Sequence, residues 1–344
     1  MNFKTYLKQK IKPLQTEIKI VLSAWEKAAL VKTPELEKIT KLLLETNRGG
    51  KNIRGVLICL GYDLCDKKIT EDVYKVAAAY EILHTSLLIH DDVIDKSLLR
   101  RGKPTVYQEL GGGHLGISQA ICLGDVGFFL SVRLINQTKL PAKIKTKVIN
   151  VFLQIVLDTL LGEILDIENG NKTKVFEKNI LLIHELKTAL YTIVGPLLLG
   201  AEMSGKLQAN QKKNIIQFGK YLGIAYQIQD DILGVFGQEK IIGKSVTSDI
   251  EEGKNTLLFF QALIFANPEQ KKVLNQYYGK GGLNSEKFKL LKDIFIATGS
   301  LDYSKKKVVE YMAKAQKYIP LVAATQEMEA ILKGFVDFIN LREK

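Results

Sequence analysis

The chain has 344 residues, 46% of them apolar, and carries 49 Lys and Arg against 37 Asp and Glu, for a formal net charge of +12. That is ample material for one large core, and its 7 prolines mark no Pro/Gly/Ser-rich linker, so a single domain over residues 1–344 is expected. The positive charge is spread along the chain, without an arginine-rich tail or a basic run interleaved with aromatics, which argues against nucleic acid and leaves a lysine-rich surface, an anionic membrane or a polyanionic small substrate.

From Met1 the chain runs into an amphipathic, lysine-bearing segment with no apolar h-region, so no signal peptide is expected. Cys59, Cys65 and Cys122 show no Cys-x-x-Cys or Cys/His metal spacing and suit reduced thiols in the cytoplasm. Val73 to Ile89 is apolar almost all round, the mark of a core helix. The glycines Gly111, Gly112 and Gly113 form a loop candidate. Ile144 to Ile167 and Ile215 to Leu233 are further long helices, and Gly237 to Asn255 is a second loop. Residues 306–342 read as terminal helices with charged outer faces. Strict alternation bounded by turns is nearly absent. No uninterrupted apolar run approaches ~18 residues, so no transmembrane segment is expected. The pattern predicts an all-α, single-domain antiparallel helical bundle.

The strongest local signal is Asp91-Asp92-Val93-Ile94-Asp95. On a helix, i,i+3 and i,i+4 spacing crowds the three carboxylates onto one face. Like charges so close need a compensating cation. They follow the apolar Leu87-Leu88-Ile89, so a buried helix ends in an acidic tip. Hard oxygen ligands of this kind suit Mg²⁺, which keeps waters and bridges to substrate phosphates. Arg100-Arg101-Gly102 follows closely, and guanidinium groups grip phosphate oxygens bidentately. Far downstream, Gln229-Asp230-Asp231-Ile232 again puts an acidic pair near the end of an apolar helix. Two such tips facing each other would clamp a metal-bridged diphosphate.

These residues resemble the trans-isoprenyl diphosphate synthase (polyprenyl synthetase) family, most like its geranylgeranyl members. His90 to Asp95 with Arg100 to Thr105 is similar to the family's first aspartate-rich motif, and Gln229 to Gly234 to the second. Gly49-Gly50-Lys51 with Arg54 resembles the early isopentenyl-diphosphate motif. Gly162 to Asp166 resembles the mid-chain acidic motif, Lys187-Thr188 the Lys-Thr pair, and Gly243-Lys244 and Gly253-Lys254 the two late lysines. Asn52 departs from the family, where Arg is common. Gly234 departs too, standing where a third aspartate is usual, with Asp249 near the same loop.

The resemblance implies a deep central cavity within the bundle and an ionisation–condensation–elimination reaction. Asp91, Asp95 and Asp230 would hold Mg²⁺, three ions per site, on the allylic diphosphate. Asp92, Asp166 and Asp231 would be further ligands or their partners. Arg100, Lys187, Lys244 and Lys254 would add positive charge to the same diphosphate. Gln227 and the Thr188 region would face the developing carbocation. Lys51, Arg54, His84 and Arg101 would bind isopentenyl diphosphate without metal. The allylic partner would be dimethylallyl, geranyl or farnesyl diphosphate. A homodimer is implied, and no nucleic acid.

Product length, by the same resemblance, depends on the helix that carries Asp91. Ser86 stands five residues before Asp91, where a bulky aromatic favours short products in the family. Ser86, Leu87, Leu83 and Tyr80 would line the tail channel, with Tyr80 about 16 Å of helix rise from Asp91. Tyr80, Phe128 and Phe129 are candidate floors. A small residue at 86 favours the C20 product over C15, with C25 and longer as the alternative.

A class I terpene cyclase and a non-catalytic synthase subunit are the rival readings. The Gly-Gly-Lys and Arg-Arg-Gly motifs count against the first, and the retention of both aspartate clusters against the second. Asp91→Ala is expected to lower turnover strongly in a steady-state assay; near-normal turnover at saturating Mg²⁺ would remove Asp91 from the metal site.

Overall fold

The computed structural model describes residues 1–65, 68–170, 176–237 and 246–340. Helices account for almost all of them, and the all-α expectation is met. Among the described residues the only strands are Leu99–Arg100 and Lys103–Pro104, a two-stranded antiparallel ladder. Two compact units divide the chain: residues 1–153, 195–212 and 323–331 form one, and 154–194, 213–322 and 332–344 the other.

The first unit begins with α1 (Phe3–Lys32), capped by Asn2, whose side chain accepts from the Thr5 N–H. Phe3, Tyr6, Leu14, Ile18 and Leu22 recur on its inner face. The Tyr6 hydroxyl donates to Asp63 at 2.6 Å, tying α1 to the end of α3 (Ile53–Asp63). After α2 (Glu37–Thr46), α3 is buried along nearly its whole length. It meets α9 (Gly195–Met203) backbone to backbone. A Cβ on Gly61 would lie 2.1 Å from the Leu197 carbonyl oxygen, and one on Gly200 would lie 1.9 Å from that of Ile58.

The expected core helix is α4 (Glu71–Ile94). Glu71 and Asp72 sit in its first turn, where negative charge complements the helix dipole. Val73, Val76 to Tyr80, Ile82, Leu83 and Ile89 are buried along it. After α5 (Val106–Glu109), α6 (Gly113–Asn136) packs on α4 through glycines. A Cβ at Gly124 would strike the His90 ring, and one at Gly127 would strike the Ser86 hydroxyl.

The second unit is organised around a π-helical stretch, His184–Val194, which continues α8 (Glu177–Ile183). Such stretches are uncommon and recur at functional sites. Glycines let two long helices approach its backbone. Gly162 of α7 (Ala142–Gly170) faces Lys187, and Gly219 and Gly223 of α10 (Ala209–Phe236) face Val194 and Ala189. A further core gathers Val235, Ile250, Leu258, Leu274, Leu291 and Phe295 from α10 and the helices that follow.

Helices Gly113–Asn136, Ala142–Gly170 and the run Glu177–Met203 are long and apolar enough to cross a membrane by length and composition alone. Single polar residues such as Asp125 and Asp158 interrupt their apolar runs without lowering the average hydropathy enough. For Glu177–Met203 the hydropathy has an internal use, since 67% of its most apolar window is buried inside the protein.

Because Gly200 touches the Ile58 carbonyl, Gly200→Ala is expected to cost about 1–3 kcal/mol through overpacking. Urea unfolding of the purified variant would register this as a lower midpoint.

Candidate active site

α4 ends at its acidic tip. The Asp95 N–H donates to the Asp91 carbonyl at 2.8 Å, and the Ser97 N–H to the Asp92 carbonyl at 2.9 Å. Lys96, at φ 53°, takes the left-handed conformation that stops the helix. Three carboxylates thus stand at a helix C-terminus, where the dipole disfavours negative charge. Arg100 answers them. Its Nε donates to Asp92 Oδ1 at 2.7 Å and its Nη2 to Asp91 Oδ2 at 3.2 Å. Asp92 is 3% exposed, and burial raises its carboxyl against the opposing pull of Arg100. Burial works against the Arg100 charge, but the Asp92 hydrogen bond and the three aspartate charges outweigh it and hold the guanidinium above its ordinary value.

Arg101 takes the other direction. Its backbone is left-handed at φ 54°, and its guanidinium lies beside Gly50, within 3.8 Å of where a Cβ there would stand. Arg54 meets His84, Nη1 to Nε2, at 3.1 Å. The predicted isopentenyl-diphosphate residues Arg54, His84 and Arg101 are therefore brought together, with Lys51 exposed at the head of the same turn. Burial, then the charges of Arg54, Arg101 and Arg100, hold the His84 imidazole well below its ordinary value, so it is neutral and its Nε2 accepts from Arg54.

The counter-charge here is Glu81, which the motif reading missed. Its Oε1 accepts from the Gly55 N–H at 2.7 Å and its Oε2 from Asn52 Nδ2 at 3.2 Å. Asn52 has φ 48°, a left-handed conformation that Asn tolerates well, and its Oδ1 also accepts from Gln15 at 3.0 Å. The Asn52 departure thus carries a structural role: it makes the turn that Glu81 pins. A lone carboxylate inside the apolar run Val76 to Leu83 was the available signal, since carboxylates are rarely buried unless paired.

In the second unit, Lys187 bridges Glu163 at 2.7 Å and Asp166 at 2.8 Å. Thr188 donates from Oγ1 to Gln227 Oε1 at 2.6 Å, and Gln227 Nε2 donates to Asp231 Oδ1 at 2.8 Å. The π-helical stretch and the acidic end of α10 are joined by this polar chain, next to half-buried Asp230. A Cβ on Gly234 would lie 2.2 Å from Asp249 Oδ2. The carboxylate missing at 234 has its space taken by that of Asp249. Lys254 pairs with Glu252 at 2.8 Å and lies 3.7 Å from Asp249, and its carbonyl accepts from the Tyr278 hydroxyl. Lys244 lies outside the described residues.

The chain-length candidates divide. Tyr80 is fully buried, edge-on to Phe152 at 6.0 Å; Leu83 is buried and Leu87 half-buried. Ser86 is fully buried and donates to the Ile82 carbonyl at 3.0 Å, with Gly127 closing over it. α6 therefore occupies the space that a ring at 86 would need. Phe128 packs on His90 at 5.4 Å between ring centroids. Phe129 is 76% exposed, so its expected floor role is corrected. It stands two residues from Gly127, on the opposite face of α6.

Among the described residues no three His, Cys, Asp or Glu side chains form a metal cage by themselves. The fold and these acidic and cationic clusters define a helical enzyme of the isoprenoid-synthase class. The polyprenyl synthetase family profile matches residues 34–295. The geranylgeranyl diphosphate synthase of Sulfolobus acidocaldarius is 31% identical over 303 residues, 86% of this chain and 88% of that protein. That of Saccharolobus solfataricus is 32% identical over 86% and 87% of the two. A geranylgeranyl pyrophosphate synthase structure from Corynebacterium glutamicum, solved with isoprenyl diphosphate and magnesium, superposes with a TM-score of 0.87 at 25% identity over 96% of this chain and 98% of that one. The chain belongs to the polyprenyl synthetase family and is a trans-prenyltransferase.

Glu81 supplies a test of the first cluster. Glu81→Leu is expected to cost about 1–3 kcal/mol, because Gly55 N–H and Asn52 Nδ2 lose their acceptor. Glu81→Gln keeps an acceptor oxygen and should cost less. Burial holds the Glu81 carboxyl above its ordinary value. The ionised form therefore costs stability above that raised value, and the cost fades as pH falls through the ordinary glutamate range. Urea unfolding across pH should show wild type gaining on Glu81→Gln with acidification.

Proposed function

We propose that the chain condenses an allylic diphosphate with isopentenyl diphosphate and releases the C20 product, geranylgeranyl diphosphate. The observation that carries this reading is the acidic tip of α4 forked by Arg100, adjoined by the separate Arg54–His84–Arg101 cluster. One cluster suits a metal-bound diphosphate and the other a metal-free one. The geranylgeranyl relatives support the C20 length, whereas Ser86, closed over by Gly127, is kept small by the packing of α6 on α4.

The donor chemistry fits Mg²⁺. Every proposed ligand is a hard carboxylate oxygen, and Asp91, Asp95 and Asp230 are only half-buried. These three would hold the metal, three ions per site, with Asp92, Asp166 and Asp231 as further ligands or supports. When bound, the metal stabilises the negative charge that builds on the departing diphosphate. Arg100, Lys187, Lys244 and Lys254 add fixed positive charge to the same leaving group. Lys187 is held meanwhile by Glu163 and Asp166, so diphosphate binding exchanges one anionic partner for another. The Thr188–Gln227 hydrogen bond orients the Gln227 amide toward the developing allylic cation. Lys51, Arg54, His84 and Arg101 orient isopentenyl diphosphate, and neutral His84 donates no charge of its own. The released diphosphate takes the final proton. Tyr80, Leu83, Ser86, Leu87 and Phe128 set the tail length.

We further propose a cytoplasmic homodimer working as one domain over residues 1–344. α6 exposes Leu115, Ile121 and Phe129, and α7 exposes Leu157, Leu161 and Ile164, apolar surface that a second copy would cover.

The decisive measurement is incubation of the purified chain with Mg²⁺, isopentenyl diphosphate and each of dimethylallyl, geranyl and farnesyl diphosphate, followed by product sizing. A C20 product from all three primers is expected. Turnover of an allylic diphosphate without isopentenyl diphosphate would make the protein a cyclase.

A further inference from the structure

His184 belongs to none of the motifs in the sequence. It is the first residue of the π-helical stretch, three residues before Lys187, and only 6% exposed. Its Nε2 lies 3.2 Å from Asp231 Oδ2. The two are close but not aligned as a hydrogen bond, which leaves Asp231 Oδ2 buried without one; His184 Nδ1, on the other side of the ring, is likewise buried without a hydrogen-bond partner. Buried polar atoms are nearly always paired, and an exception beside an active site calls for a functional explanation.

The neighbours supply one. Asp231 Oδ1 is already held by Gln227, and Gln227 by Thr188. His184 and Thr188 stand four residues apart on the same stretch and reach α10 together. Gln227 holds Oδ1 of the Asp231 carboxylate, and His184 Nε2 is the polar atom that faces Oδ2. Asp230 is the adjoining half-buried carboxylate on α10.

We propose that His184 is a positioning residue for Asp231, and that it holds the Asp231 carboxylate in the geometry that binds magnesium diphosphate. This rests on the prenyltransferase reading above. His184 touches neither substrate nor metal in this role. It supplies the polar contact to Oδ2 that keeps the Asp231 carboxylate from turning, as outer partners of metal ligands commonly do. A core histidine that only fills space would be replaceable by any ring of similar size.

The test uses the full chain and has a readout apart from activity. Calorimetric titration with inorganic diphosphate in Mg²⁺ is compared for wild type, His184→Phe and His184→Gln. His184→Phe keeps the ring volume without the polar atoms and should weaken binding at least about tenfold, the effect typical of losing an outer partner. It should raise KM for the allylic substrate and leave KM for isopentenyl diphosphate unchanged. His184→Gln restores an N–H within reach and should recover most of the affinity. If His184→Phe does not fold, His184→Leu carries the same comparison. Unchanged diphosphate affinity in a folded apolar variant, whatever its melting temperature, overturns the positioning role alone. Failure of the wild type to bind magnesium diphosphate overturns the prenyltransferase reading and this inference together.

Discussion

The structure depends on negative charge held where helix electrostatics disfavour it. Asp91, Asp92 and Asp95 end α4, and Asp230 and Asp231 lie in the last turns of α10. At the end of α4 each such charge opposes the dipole by about 0.3–1 kcal/mol, before their mutual repulsion is added; further inside α10, the repulsion between neighbouring carboxylates is the cost. A sequence selected only for stability would place lysines there. The protein tolerates the arrangement by giving each cluster internal partners. Arg100 forks Asp91 and Asp92, while Gln227 and His184 face Asp231. Those partners relieve part of the repulsion, and a divalent cation is the natural remainder.

A second constraint makes these partnerships possible: close backbone approach through glycine. Gly162, Gly219 and Gly223 bring α7 and α10 onto the π-helical stretch, so short side chains such as Thr188 span the gap. Gly124 does the same for His90 beside the first cluster, and Gly234 admits the Asp249 carboxylate. Glycine at 234 therefore leaves room for a carboxylate that comes from a different segment.

What was legible in the sequence was whatever is local. α4 announced itself because seventeen successive positions, 73–89, carry the signature of a buried helix, and its acidic tip follows from spacing alone. The pairing of Arg54 with His84, thirty residues apart, was reachable only by resemblance to a family. Glu81 and His184 were not found, because their partners come from other segments and no spacing encodes them. The π-helical stretch was equally hidden, since no spacing in His184–Val194 distinguishes it from an α-helix. Run length and average hydropathy read α6 and α7 differently, because a single Asp breaks a run without lowering an average much. Phe129 was named beside Phe128 without regard to helix rotation, and its place two residues from Gly127 turns its side chain to the far face of α6.

Arg100 and Arg101 join these strands. They are neighbours in the chain, yet Arg100 serves the aspartates while Arg101 lies beside Gly50, in the charge field of Glu81. Burial, then the adjacent Arg100, depresses the Arg101 guanidinium, so the chain gains by separating them. The separation is made by one strained residue: Arg101 at φ 54° followed by Gly102 at φ 74°. A non-glycine residue in that region costs about 1–3 kcal/mol and persists where the surroundings over-determine it. Here the two-residue ladder, Leu99–Arg100 against Lys103–Pro104, fixes the turn from both sides. The strain divides a single cationic pair between two clusters, Arg100 with the aspartates that end α4 and Arg101 with Gly50 and the field of Glu81.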